Sequence, residues 1–413
     1  MSKRTAIKAN NFVISDIFGA PNRKFALRIP DDFSFFNSLK LRDTDSFGSV
    51  SVAIVDSVFW RSNGEVCTSV GDGANVIYAS TTNEDQLPNG VSVDRIDRWL
   101  VVTSRELFSP TSTFKSALSS RGCIENLDSL DDFFMLFRAN SLISFDENLR
   151  DQAKEDLEAQ PTYEGYEDTP LSDVFPYYEK FSIFRLDATS ALNGKSIFWL
   201  SYLVASGLSG TRSHFTADAY SNIDNIYNDG MWHFPVDNAR TAVVASHFKH
   251  CYLELYRCVE WLYSLPRARA VKRHLGLTIK ATDLARTLRD ELGWRRSELD
   301  SLRLLLLDVR IDNIPNSLIS GCLLCDVPEM PSLVNSALPD TDEGRGKLEL
   351  LLVKWRADLA GMLSTRLYAI RNQFVHQLDR MDMQDVPIAA QSHLITLMSY
   401  LCLVLYREYA DDF

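Results

Sequence analysis

At about residue 240 the hydrophobic period of this chain changes from strand-like to helical, and that change constrains the fold more than any other feature. Upstream, residues 11–105 carry short β-branched and aromatic runs between polar clusters: Asn11-Phe-Val-Ile14, Lys24 to Ile29, Val50 to Trp60 and Asn75-Val-Ile-Tyr78. Such runs predict strands. Asn63-Gly64, between Val58-Phe-Trp60 and Val66 to Val70, predicts a type I′ hairpin turn, and Asn89-Gly90 signals a second turn before Arg98 to Thr103. From Arg240 onward Val243, Phe248, Cys251, Leu255, Val259 and Leu262 recur at three to five residues, predicting a helix that ends near Leu265-Pro266. A second helical stretch is expected from about Ala281 to Val309, a third from near Gly346 to Leu378, and a nearly all-apolar fourth from Ile388 to Tyr409. Between them, residues 311–341 carry Pro315, Pro328, Pro331 and Pro339 and read as a loop insertion.

The expected fold class is therefore α+β, a β-rich N-terminal region followed by an all-α bundle. The division is residues 1–145 (β-rich, a sensor or regulator), 146–239 (an acidic connector and a mixed segment) and 240–413 (the bundle). Charge follows the same line. The whole chain of 413 residues has 43 Lys+Arg against 55 Asp+Glu, a net −12, which taken alone argues against a nucleic-acid partner. Residues 1–239 hold 21 bases against 33 acids, the entire deficit, whereas residues 240–413 hold 22 of each. Residues 240–310 hold 14 bases against 8 acids. The most acidic stretch, residues 146–168, has nine acids and two bases and reads as a solvated connector.

Seven cysteines, an odd number, form no disulfide framework. Cys322-Leu-Leu-Cys325 lacks the second ligand pair that zinc requires, so no metal is expected, and its thiols read as loop residues. The basic N-terminus has no apolar core behind it, and the apolar run Leu394 to Tyr406 is shorter than a bilayer span. A cytoplasmic protein without a membrane partner is expected.

The chemistry concentrates in Ile370-Arg-Asn-Gln-Phe-Val-His376, near the end of the third helix. At about 100° per residue, Leu359, Leu363, Leu367, Ile370 and Phe374 form one stripe that should face the core. Asn372 and His376 fall on one line roughly opposite, with Gly361 and Thr365, and Arg371 lies on the flank between. A solvated Arg/His surface without a role is the plain alternative to a site.

This R-N-x3-H pattern on a late helix of a C-terminal bundle resembles the HEPN superfamily, many of whose members are metal-independent ribonucleases in toxin–antitoxin, abortive-infection and CRISPR-associated defence. Arg371, Asn372 and His376 match its motif position by position. The helix from Cys251 to Tyr263 looks like the family's first helix, which often carries a polar residue near the site, and Glu260 is the candidate here, with Arg257 second. The resemblance covers residues 240–413 at most. It departs from the pattern in family members that pair with a nucleotidyltransferase antitoxin, where a Tyr stands two residues after the His; here Leu378 does.

The resemblance implies an endoribonuclease that needs no cofactor. Cleavage through the neighbouring 2′-OH requires a base for that proton and an acid for the leaving 5′-oxygen, and imidazole serves either role near neutral pH. A guanidinium offers a planar fork of donors to the phosphate charge that develops. One chain supplies one His, so the resemblance also implies a homodimer joining two motifs. Its partners would be RNA, tRNA among the candidates, with a phage-derived trigger or an antitoxin controlling it. A toxin of a two-gene pair, or a non-catalytic bundle that binds nucleotide or scaffolds a partner, are the other readings. Lys272, Arg273, Arg295 and Arg296 lead the basic stretch and are candidates for RNA-backbone contact.

Other patterns are weaker. Asn193-Gly-Lys-Ser196 lacks the first glycine of a phosphate loop, and Gly71-Asp-Gly73 lacks the third glycine and following helix of a dinucleotide site. His247 and His250 lack the i, i+4 spacing of a metal pair and read as solvated or capping residues; Trp60, Trp99 and Trp199 read as core.

Overall fold

The computed structural model describes residues 3–19, 25–27, 39–47, 50–62, 65–66, 91–104, 118–119, 123–126, 130–158, 167–169, 171–186, 197–209, 214–231, 233–292, 297–309, 311, 314–376 and 386–413. The chain divides into two compact units, residues 1–208 and 209–413. The first carries an antiparallel sheet with helices and the second is helical, so the fold class is α+β.

The sheet of the first unit runs in the order β2 (Leu39–Phe47), β3 (Val50–Ser62), β5 (Val91–Ser104), β8 (Lys180–Leu186) and β6 (Cys123–Asn126), with β4 (Glu65–Val66) pairing to β3. A separate parallel pair joins β1 (Phe25–Leu27) to β7 (Glu167–Thr169). β3 and β5 are buried on both faces: Ala53, Val55, Trp99 and Val101 alternate with Val52, Ile54, Leu100 and Val102. That explains their continuous β-branched character. The Asn63-Gly64 turn signal is matched by pairing of Ser62 with Glu65 and Arg61 with Val66, the register of a two-residue connection.

Three helices, α1 (Lys3–Phe18), α2 (Leu130–Ala139) and α3 (Arg150–Glu158), contribute to one apolar cluster with Ala53, Val55, Trp99 and Val101. Two expectations are corrected here. Asn11-Phe-Val-Ile14 belongs to α1 and not to a strand, because Ile17 continues the buried pair Val13 and Ile14 at helical spacing. The acidic stretch from residue 146 is no bare connector, since α3 buries Ala153 and Leu157, four residues apart, and turns its acids outward. The mixed stretch after residue 175 supplies β8, whose residues pair with both β5 and β6. Trp99 and Trp199 are core residues. Asn75 to Tyr78, Gly71-Asp-Gly73, Asn193 to Ser196 and the Trp60 side chain lie outside the described residues.

The helical unit begins some thirty residues earlier than the periodicity predicted, taking in α5 (Ala217–Asn228) and α6 (Val236–Val244) after α4 (Ile197–Ser209) closes the first unit. α5 buries only Ala219, Ile223, Ile226 and Tyr227 between polar residues, a narrow stripe that gives a weak periodic signal. The single helix expected from 240 to 265 is two, α6 and α7 (Phe248–Glu260), separated where Ala245 turns extended (φ −65°, ψ 124°). α8 (Leu265–Leu275) restarts with Pro266 in its first turn and stops at Gly276, whose φ of 63° suits a residue without Cβ. The stretch 281–309 is likewise two helices, α9 (Ala281–Leu292) and α10 (Glu298–Asp308), and the expected loop insertion contains α11 (Asn316–Leu323). α12 (Asp342–His376) and α13 (Ile388–Glu408) agree closely with the third and fourth helices.

α13 packs against α5, α7 and α11, while α12 packs against α7, α10 and α11. α13 is the one helix among the described residues long and apolar enough to cross a bilayer. Leu394, Ile395, Leu397, Met398, Leu401, Cys402, Leu405 and Tyr406 are buried by protein. Cys322 is buried within α11, not in a loop, and Cys325 is exposed just beyond; every cysteine among the described residues is a free thiol.

Candidate functional site

The site assembles where the last turns of α12 meet α7 and the start of α10. The stripe that should face the core does so: Leu359, Leu363, Leu367 and Ile370 are buried. Phe374 is half-buried with Phe248 and Tyr252, both rings 5.8 Å away. The buried Tyr252 hydroxyl donates to the Leu367 carbonyl at 2.8 Å, one turn before Arg371. These contacts fix the rotation of α12 against α7, and therefore the direction in which Arg371 leaves the helix.

Arg371 leaves it between two carboxylates. Its Nη1 donates to Asn372 Oδ1 at 3.1 Å, its Nη2 to Glu298 Oε1 at 3.4 Å, and its Nε lies 3.5 Å from Glu260 Oε1. The Arg371 side chain is 18% exposed, against 28% for Glu260 and 38% for Glu298. Glu260 is the last residue of α7, where the helix dipole disfavours a negative charge, whereas Glu298 opens α10, where it is favoured. Burial raises the Glu260 carboxyl above its ordinary value; the Arg371 charge lowers it and the Glu298 charge raises it, and the net direction is up. Beside them the Tyr263 hydroxyl donates to the Tyr256 hydroxyl at 2.7 Å, and burial pushes both phenols up, so both stay protonated.

Of the residues singled out from sequence, Arg371, Asn372 and Glu260 are brought together. Glu298 was missed. The stretch 281–309 reads as one helix, and the signals for a second start are Gly293 and the Ser297 to Asp300 spacing, in which the Ser297 hydroxyl accepts from the Asp300 amide. His376 ends α12, one turn beyond Asn372 on the same face; its side chain lies outside the described residues. Thr365 is exposed on that face, and Gly361 is overlain by Arg303 of α10, whose Nε lies 3.9 Å from where a Cβ would be.

Arg257 does not join the cluster. It is exposed and pairs with Glu254 at 2.5 Å, acting on Glu260 only through its charge. Lys272 and Arg273 occupy the last turn of α8, where cations complement the helix dipole, and Arg273 is exposed. Arg295 and Arg296 lie outside the described residues. His247 and His250 are exposed, with ring centroids 6.1 Å apart, and His247 makes no side-chain cap to α7. Among the described residues no group of three or more His, Cys, Asp or Glu is placed to hold a metal ion.

The arrangement presents one permanent cation between two partly exposed carboxylates, with an amide beside it and an imidazole-bearing residue one turn on. Such a cation can receive a phosphate oxygen once a carboxylate yields its place. No protein-family model, no curated protein and no solved structure matches the chain.

Proposed function

We propose that the chain is a metal-independent endoribonuclease of HEPN type, acting in the cytoplasm as an abortive-infection effector with residues 1–208 sensing the trigger or restraining the enzyme. The observation that supports this reading best is the convergence on Arg371: the motif arginine, at the end of a long bundle helix, is held by Glu260, the residue the family resemblance had put forward from the earlier helix.

In this reading Arg371 takes a non-bridging oxygen of the scissile phosphate, and Asn372 steadies the guanidinium through Nη1. The His376 imidazole moves a proton, either from the 2′-OH or to the leaving 5′-oxygen. The other transfer falls to a second copy's His376, so the active species is a homodimer. DNA, lacking the 2′-OH, is not a substrate by this route. The direct test is to incubate the pure full chain with total RNA and tRNA in chelator and map the cut ends. Ends carrying 2′,3′-cyclic phosphate, lost in Arg371→Ala and His376→Ala, support the mechanism. Cleavage that requires magnesium, or that survives both substitutions, sinks it.

A further inference from the structure

We infer that Glu298 is a latch on Arg371, the carboxylate that must let go before a nucleic-acid phosphate can bind. The inference rests on the proposed role of Arg371 as the phosphate receptor. A guanidinium receives a phosphate bidentately along one of two edges, Nε with Nη2 or Nη1 with Nη2, so Nη2 belongs to both. Glu298 sits on Nη2, and with Glu260 on Nε the side edge is filled by two carboxylates. Asn372 takes Nη1. Two acids around one base also leave the cluster with a net negative charge, which repels a polyanion.

Both contacts on Arg371, at 3.4 and 3.5 Å, are long beside the 2.7–2.9 Å typical of a charge-assisted bond. Two observations single out Glu298, rather than Glu260, as the group that moves. Its Oε2 is buried with no hydrogen-bond partner among the described residues, so the rest of the carboxylate gains nothing from staying. Its place in the first turn of α10 keeps its charge stabilised by the helix dipole after release, an advantage that Glu260 at the end of α7 lacks. Glu260 therefore remains as the anchor on Nε, and the phosphate replaces Glu298.

The test is binding of a single-stranded 2′-O-methyl RNA, which cannot be cleaved through a 2′-OH, to the full chain in chelator. Glu298→Gln should tighten binding about tenfold, the scale of one removed charge a few ångströms from a phosphate. It should also steepen the salt dependence by about 0.7 in log–log slope, one further phosphate neutralised. Glu343→Gln makes the same charge change at an exposed position and should do neither. In an Arg371→Ala background the Glu298→Gln gain should vanish. Unchanged or weaker binding by Glu298→Gln overturns the latch, whatever the enzyme cuts. Tighter binding that depends on Arg371, in a protein that never cleaves RNA, supports the latch and discards the ribonuclease reading.

Discussion

The two units each contain a three-member charge cluster, and the clusters are near inversions of one another. In the sheet, one fully buried carboxylate is held by two arginines: Asp56 of β3 accepts from Arg42 at 2.6 Å and from Arg98, its direct neighbour on β5, at 2.9 Å. A register shift in β2 between Leu41 and Asp43 leaves Arg42 out of the ladder and aims it at Asp56. In the helical unit, one arginine is held by two carboxylates at 3.4 and 3.5 Å, all three partly exposed. The first cluster is short, and both oxygens of its fully buried carboxylate are satisfied, as a buried charge must be to offset desolvation. The second is long, open and over-supplied with negative charge. A fold that needed Arg371 only for stability would hold it as it holds Asp56.

That contrast can be broken most forcefully at Asp56. Asp56→Ala removes the buried acceptor shared by two partly exposed arginines and should destabilise the chain by about 3 kcal/mol in chemical denaturation, the low end for a broken buried pair. A loss below about 1 kcal/mol would remove the structural half of the comparison. Next, if the proposed ribonuclease reading holds, Arg371→Ala lowers RNA cleavage by about a hundredfold or more, the scale for losing one charge-stabilising donor, while the melting temperature stays within a few degrees. Equal damage to fold and activity would make Arg371 another Asp56.

A smaller effect is expected from pH. The folded Glu260 carboxyl is raised above its unfolded value, so its contribution to stability is fully present below the unfolded value and is lost as pH rises through the folded one. Glu260→Gln should therefore flatten the fall in melting temperature between the ordinary carboxylate range and neutrality, relative to the parent. An identical pH profile in the variant would show that burial does not act on this carboxyl. The smallest effect belongs to Arg257→Ala, which removes an exposed i, i+3 pair and should change stability by less than about 0.5 kcal/mol and leave cleavage intact. A large loss of cleavage would restore Arg257 to the site.

The period change at residue 240 left every described strand upstream of it but overlooked the helices α1 to α5 on that side, whereas α12 and α13 were nearly readable residue by residue, because long apolar stripes on regular helices depend on local spacing alone. α1 and α3 were not, because a run of three apolar residues fits either period, and because a charge count does not see the two side chains that an acidic helix buries. The motif was legible for the same reason as α12: one helix carries Arg371, Asn372 and His376, and helix geometry fixes their relative directions. Glu260 could be guessed only through a resemblance.

What the sequence by itself determined is the α+β division, its uneven charge and one helical face bearing an arginine, an amide and a histidine. What only the tertiary structure decided is what that arginine touches. Glu260 and Glu298 stand 111 and 73 residues before Arg371 in the chain, and no local period links them to it. They meet because α7 and α10 both pack on α12, with the Tyr252 hydroxyl on the Leu367 carbonyl setting its rotation. Packing alone brought two acids to one base.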